Sequence, residues 1–332
     1  MTVSERLRRF TSTGRRLAAG ESVFDICGRR RLWYTLSAVL VLVVTVALTT
    51  RGLHLGIEFQ GGAQYTVAAP GVSVADAAHA VHQVTGHDAL VQATGSGQLR
   101  IQLPGSGGAG TRTASALADA LHIPRPNVST QIVGPSWGAE VSHKALLGLA
   151  IFLVLVTGYL AVAFEWRMAL AALAALLHDL LITVGVYAVT GFEVTPGTVI
   201  GFLTILGYSL YDTVVVFDSV REHTRGRTGP AYGRAANRAL NATLIRSANT
   251  TVLALLPVAA LLFIGAGLLG AGTLTDIALA LFVGLAAGAY SSLFLATPIL
   301  AQLKERRPVP GPLTRRRPRT RHPVPTTSRT SV

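Results

Sequence analysis

The chain has 332 residues, half of them hydrophobic and only 14% charged, with a mean hydropathy of +0.47. Soluble domains typically carry about 25% charged residues, so a purely soluble enzyme is excluded. The 29 Lys and Arg against 16 Asp and Glu leave a formal +13, a bias that has to be located along the chain before it is read as affinity for nucleic acid. One cysteine, Cys27, excludes an intramolecular disulfide and reads as an inert thiol.

Leu32 to Thr50 is an uncharged run behind Arg29, Arg30 and Arg31, long enough to cross a hydrocarbon core that needs about 20 helical residues. No A-x-A-like site follows it, and the stretch before it is long for a signal peptide, so it reads as an uncleaved first span. Five more spans follow, roughly Ala145 to Phe164, Met168 to Thr190, Pro196 to Val220, Thr243 to Ala266 and Leu274 to Leu300. Basic residues gather in the N-terminal segment 1–31, at Arg167, in a loop over about 221–240 and in the tail 304–332, all on one side of a six-span protein. The opposite short connections, Gly191–Glu193 and Gly265–Gly272, hold no Lys or Arg. The positive-inside rule then places both termini in the cytoplasm and residues 51–142 outside. The tail, rich in Pro, Arg and Thr, reads as disordered and topology-setting.

Segment 51–142 alternates strand and helix signals. Ile57–Phe59, Gln64–Ala68, Leu90–Ala93, Leu99–Leu103 and Val128–Val133 read as strands, with helices from Ser73 and around Arg112–Leu121. Ser73 with Asp76 forms a capping pattern, and Val74, Ala77, Val81 and Val84 recur on one helical face. The ββαββαβ order predicts a small α+β, ferredoxin-like domain between the first two of six transmembrane helices. Gly95–Gly97 and Gly105–Gly110 read as turns.

Three acidic residues fall inside spans, where a carboxylate costs several kcal/mol and is a functional-site hypothesis by default. Asp212 is the sharpest, too deep in the fourth span for its short side chain to reach water. Arg246 lies at a similar depth in the fifth span, and the two are placed to pair across the bundle. Such a pair is either a static register contact or a proton switch, because burial favours the neutral acid and a nearby arginine the carboxylate. His178 and Asp179, mid-way along the third span, offer a second relay or an interhelical hydrogen bond. Asp276, near the start of the sixth, offers either a relay group or a helix N-terminal acid.

Gly197, Gly201 and Gly207, and the G-x-x-x-G of Gly284 and Gly288, predict close helix packing. Ser247, Asn249, Thr250 and Thr251 are placed to bond between helices or to line a hydrated path. His79, His82 and His87 lack a third properly spaced ligand, so no metal site is expected. Without a P-loop, a nucleophile triad or paired catalytic carboxylates, neither enzyme chemistry nor a cofactor is indicated.

Several motifs occur together in order: Gly56–Ile57–Glu58–Phe59–Gln60–Gly61–Gly62 after the first span, Val133–Gly134–Pro135–Ser136–Trp137–Gly138–Ala139–Glu140 before the second, and Phe164–Glu165–Trp166–Arg167 at its end. His178–Asp179 follows, then Gly207–Tyr208–Ser209–Leu210–Tyr211–Asp212–Thr213–Val214–Val215–Val216–Phe217–Asp218, continuing to Arg221–Glu222, and Tyr290–Ser291–Ser292 in the last span. In this order they resemble the SecF family of the bacterial Sec export machinery. The resemblance implies half of an RND-type twelve-helix unit completed by SecD. It further implies work beside the SecYEG translocon, with YajC as a further partner, on a translocating preprotein in the lipid of the cytoplasmic membrane, driven by the proton-motive force. It makes Asp212 the proton-coupling aspartate and Arg246 the essential arginine, and it implies no nucleic acid. Three positions depart from the family pattern: Tyr211 stands where Asn is usual, Ser219 where Arg is frequent, and Glu58 where Asp is usual. The phenol of Tyr211 beside Asp212 is placed to donate to the carboxylate or to occlude water. Outside this family, an RND-like exporter of a small molecule or lipid, or an assembly scaffold, are the competing readings.

Overall fold

The computed structural model describes residues 23–305, apart from 70, 95–96, 106–109, 228 and 266–271. In chain order these form α1 (Arg30–Arg51), β1 (His54–Leu55), the single turn α2 (Ile57–Gln60), β2 (Gly62–Ala68), α3 (Val74–Thr85), β3 (Leu90–Thr94), β4 (Gln98–Pro104), α4 (Thr111–Ala120) and β5 (Val128–Val133). Then come α5 (Pro135–Ala163), α6 (Trp166–Thr190), β6 (Glu193–Val194), α7 (Pro196–His223) and α8 (Pro230–Ala260), which runs on through a π turn at Leu261–Gly265. The chain ends its described part with α9 (Gly272–Ser291), a second π turn (Ser292–Ala296) and α10 (Thr297–Glu305). Six of the described helical segments are long and apolar enough to cross a membrane, the shortest being 22 residues. At about 1.5 Å per residue that one still reaches about 33 Å.

The α+β domain between the first two spans is a four-stranded antiparallel sheet in the order β3-β4-β2-β5. With α3 and α4 it makes the βαββαβ arrangement of a ferredoxin-like fold. Strand alternation divides the sheet into two faces. Ala63, Tyr65 and Val67 of β2 and Leu99, Ile101 and Leu103 of β4 are buried with Ala77 and Val81 of α3 and Leu117 of α4. Gln64, Arg100 and Gln102 therefore point the other way. The Ser73 hydroxyl caps α3 by accepting from the Asp76 N–H at 3.1 Å. Val74, on that helix's expected apolar face, is exposed in the first turn.

Two sequence expectations are corrected. Ile57–Phe59 is helical, not a strand: Gly56 enters extended, the Gly61 N–H closes the turn on the Ile57 carbonyl at 2.8 Å, and Gly61 leaves at φ +74°. A Cβ at Gly61 would sit 2.7 Å from Pro135 Cα, so only glycine lets this turn lie against the start of α5. The strand preceding the sheet is instead β1, which pairs in parallel with β6 and ties the end of the first span to the connection between the third and fourth.

The loop expected over 221–240 is mostly helix. Pro230 opens α8, where its missing N–H costs nothing, and Asn237 and Asn241 are helical residues with a separate task. Their side-chain oxygens accept from the backbone N–H groups of Ile26 and Cys27, and of Val23 and Phe24, at 2.8–3.1 Å. The segment entering the first span is thereby held against the fifth. Cys27 is buried there, and burial, reinforced by Glu305 and Asp25, pushes its thiol up to about 12. The expected disordered tail lies, from residue 306 on, outside the described residues, as do parts of the turns expected at 95–97, 105–110 and 265–272.

The third, fourth and sixth spans form the centre of the bundle, whereas α5 exposes Leu146, Val154, Leu155 and Val162 along its length. The glycines expected at helix contacts are found there with one exception. A Cβ at Gly201 would come 3.1 Å from Ala280 Cβ, and one at Gly288 2.9 Å from Ser209 Cβ, so each glycine lets α7 and α9 close onto a small side chain of the other helix. Gly207 faces open space.

Candidate functional site

The close approach of α7 and α9 brings hydroxyls to the two acids of the bundle interior. Asp179 of α6 is fully buried; its Oδ2 accepts from Ser209 Oγ of α7 at 2.6 Å and from Ser291 Oγ of α9 at 2.7 Å. Its Oδ1 lies 3.3 Å from Nδ1 of His178. Asp212 of α7 is buried as well. The Ser247 hydroxyl of α8 sits 2.8 Å from both of its carboxylate oxygens, and the Ser292 hydroxyl donates to Oδ2.

Consecutive residues of the sixth span thus serve different carboxylates, and they do so where its helix widens into a π turn. Such insertions re-aim side chains and recur at functional sites. On the first-span side, the His178 ring packs on Tyr290 with centroids 5.9 Å apart. The Tyr290 hydroxyl lies 3.0 Å from Ser37 Oγ and donates to the Trp33 carbonyl at 3.2 Å. A continuous polar seam therefore crosses the bundle from α1 through Tyr290, His178, Asp179, Ser291, Ser292 and Asp212 to Ser247 of α8. Nε2 of His178 is buried without a hydrogen-bond partner among the described residues.

Arg246 is exposed, and the expected direct pair with Asp212 is not formed: among the described residues no ion pair joins them. Both line one small cleft of about 60 Å³, with Tyr211, Thr243, Ser247 and Thr250. Helical periodicity explains the split. Arg246 and Ser247 are adjacent and point about 100° apart on α8, so the turn that aims Ser247 inward leaves Arg246 at the opening. The Tyr211 phenol makes no hydrogen bond to Asp212 among the described residues; it stands exposed at the same opening.

Serine is chemically suited to this site. A hydroxyl donates to a carboxylate and, after rotating, accepts from a carboxylic acid, whereas an arginine only donates. Asp212 and Asp179 are thus held by partners that satisfy either protonation state. Asp276 is not part of the seam: it precedes Ser292 on the sixth span by about 24 Å of helix and lies 3.7 Å from Arg100 of the sheet. Sequence reading named Asp212, Arg246, His178 and Asp179 and placed Ser247 near them. It missed that Ser209, Ser291 and Ser292 are carboxylate donors, although all three stood in the quoted motifs and Ser291 and Ser292 follow Gly288 by three and four residues, on one helical face. It also missed Arg100, which alternation with Leu99 and Ile101 had placed on the sheet face opposite the core.

Six membrane-length helices, a ferredoxin-like domain between the first two, and a polar seam of hydroxyl-bound carboxylates define a multi-pass membrane protein of the transport class. Residues 115–306 match the model of the SecD/SecF protein export membrane protein, C-terminal region, and residues 46–69 match the SecD/SecF GG motif. The chain is 56% identical over 305 residues to the protein translocase subunit SecF of Streptomyces coelicolor, covering 89% of this chain and 80% of that one. It is 41% identical over 316 residues to SecF of Mycobacterium tuberculosis, covering 88% and 69%. The crystal structure of SecDF from Thermus thermophilus superposes with a TM-score of 0.75 at 29% identity, over 85% of this chain but only 39% of that one. The chain belongs to the SecD/SecF protein-export family, among its SecF subunits.

Proposed function

We propose that this protein, with SecD, uses the proton-motive force to assist preprotein translocation beside SecYEG in the bacterial cytoplasmic membrane, and that Asp212 is the group that takes up and releases the proton. The observation that carries this reading is the mid-span Asp212 carboxylate, held by the hydroxyls of Ser247 and Ser292, with a cationic side chain, Arg246, at the opening of its cleft. Basic residues at one end of the spans support cytoplasmic termini and an outward-facing α+β domain. YajC is a further expected partner, and no nucleic acid or cofactor enters the reading.

Partnership with SecD is supported by the exposed side of the seam. Arg246, Asn249, Thr250 and Tyr211 are exposed at mid-span depth, where hydrocarbon would leave an arginine uncompensated. A second set of helices covering α7 and α8 would bury them, and the part of the Thermus thermophilus SecDF chain that this chain does not match is long enough to supply one. In the cycle, protonation of Asp212 from the outer side releases its attraction for Arg246, the bundle shifts, and the outer domain moves with it. Each proton contributes about 2.3 kcal/mol per 100 mV. The test is co-purification with SecD and SecYEG, followed by gradient-dependent export of a preprotein into vesicles. Export stimulated by the gradient supports the reading; a purified complex that moves only small molecules or lipids overturns it.

A further inference from the structure

At the domain end of the bundle, two buried carboxylates meet one arginine. Arg100 of β4, only 11% exposed, reaches down from the sheet, and its Nη1 lies 3.5 Å from Glu193 Oε2 and 3.7 Å from Asp276 Oδ2. Gln102, two residues on and therefore on the same sheet face, donates to Glu193 Oε2 at 2.6 Å and to Gln64 Oε1 at 3.0 Å. Glu58 of α2 lies near this pair and disfavours negative charge on Glu193.

Charge and hydrogen bonding fail to balance here. Glu193 and Asp276 are 1% and 6% exposed, yet Glu193 Oε1, Asp276 Oδ2 and Glu58 Oε2 are buried with no hydrogen-bond partner among the described residues. A buried orphan oxygen costs on the order of 1–3 kcal/mol, more when charged. Retained protons ease the charge defect: a protonated acid is no longer a buried uncompensated charge, and the total falls towards what a single guanidinium can match.

We propose that Glu193 and Asp276 form a proton-binding site between the α+β domain and the membrane bundle, and that its proton occupancy sets how firmly Arg100 holds the domain on the bundle. The site joins two bodies. Arg100, Gln102 and Gln64 belong to the sheet; Glu193 belongs to the link between the third and fourth spans; Asp276 belongs to the sixth. The neighbouring groups are His54 of β1, with Nδ1 buried and unpartnered, Thr195 and Thr198 at the start of α7, and Tyr187 of α6, whose hydroxyl donates to the Asp276 carbonyl. Other polar ties between the two among the described residues include Gln92 Nε2 to the Gly191 carbonyl at 3.3 Å, Ser142 Oγ to the Phe59 carbonyl at 3.4 Å, and the pairing of β1 with β6 beside the Gly56 N–H to Val194 carbonyl bond at 2.9 Å.

The direction of the effect follows from Glu193, which lies outside the spans. Burial, assisted by Glu58 and opposed by Arg100 and Gln102, holds its carboxyl above the usual range. An acid whose docked form binds its proton more tightly than its undocked form stabilises docking at low pH, and that contribution is lost as the pH rises through the docked value.

The test uses the full chain with SecD in lipid nanodiscs, with spin labels at Gln83→Cys on α3 and Thr190→Cys at the end of α6, and distances measured as the pH is raised from about 5.5 to about 9. A single narrow distance at low pH that is lost at high pH is expected. Glu193→Gln with Asp276→Asn, permanent mimics of the protonated acids, should keep the narrow distance throughout. Arg100→Gln should lose it at every pH, while Arg100→Lys, which keeps the charge, should retain the low-pH distance. Asp212→Asn should leave the response unchanged, so the site stands or falls apart from the coupling role of Asp212. A wild-type distance independent of pH, a response that survives in the double acid variant, or one abolished by Asp212→Asn would each overturn the proposal.

Discussion

Ser291 and Ser292, neighbours in the chain, donate to different carboxylates, the first to Asp179 and the second to Asp212. Because the two acids sit on different spans, the π turn that begins at Ser292 ties the third and fourth helices together through one point of the sixth. A shift of the sixth helix at this point would disturb hydrogen bonds to both acids.

Replacing Ser292 by Ala removes a buried hydrogen bond to the Asp212 side chain. Such bonds contribute about 1 kcal/mol, so gradient-stimulated export should fall about fivefold, while the amount of protein recovered with SecD stays near wild type. Ser291→Ala should affect export less, because Asp179 keeps Ser209. Export rates of the two variants side by side check the ordering; equal rates would separate the π turn from the coupling.

Gly288 is where α9 passes closest to Ser209. Gly288→Val would drive a branched side chain into the Ser209 Cβ, which a Cβ at 288 already approaches to 2.9 Å. Overpacking of this kind costs about 1–3 kcal/mol and would also pull Ser209 away from Asp179. The thermal unfolding midpoint of the purified protein should drop, and Gly207→Ala, which meets open space, should leave it in place.

At the turn between α2 and β2, Gly61→Ala forces a side chain into φ +74° and against Pro135 Cα. Strain and clash together should destabilise by more than the ~1 kcal/mol of a left-handed alanine alone. Limited proteolysis of the link between the sheet and α5 reads the effect as faster cleavage.

Cys27 has its thiol pushed up to about 12 by burial and nearby acids. In the folded protein it should stay unmodified by a maleimide at about pH 8, where an ordinary cysteine with a pKa near 8.5 reacts. It should react fully once the protein is denatured. Rapid labelling of the native chain, read by mass, would contradict the burial of the segment that enters the first span.

Much of this was legible in the sequence because membranes simplify the problem. A span announces itself by length and apolarity, so the six segments were placed well at most ends. Strand alternation and the Ser73 cap gave the ferredoxin-like order. Two local features were misread for identifiable reasons. Ile57–Phe59 is apolar enough for a strand, but the glycines on either side form a tight helical turn whose partner, Pro135, is distant in sequence. Asn237 lies in the stretch read as a loop, yet it sits in a helix, its amide oxygen bonded to the backbone N–H groups of Ile26 and Cys27.

The site was half legible. An isolated charge in an apolar run is conspicuous, which is why Asp212, Arg246, His178 and Asp179 stood out. What answers such a charge is a tertiary property, and the expectation of a direct Asp212–Arg246 pair gave way to serine hydroxyls that no hydropathy pattern marks. Arg100 and Glu193 were hidden for the opposite reason: both lie outside the spans, where charge is unremarkable until the fold buries it.

The central claim is that Asp212 carries the proton that drives export. Its most direct test is preprotein translocation into vesicles holding SecYEG, SecD and either the wild-type chain or Asp212→Asn, with and without an imposed proton gradient. The account predicts that the variant assembles and matches wild type without a gradient, but gains nothing when the gradient is applied; full gradient stimulation with Asp212→Asn would contradict it.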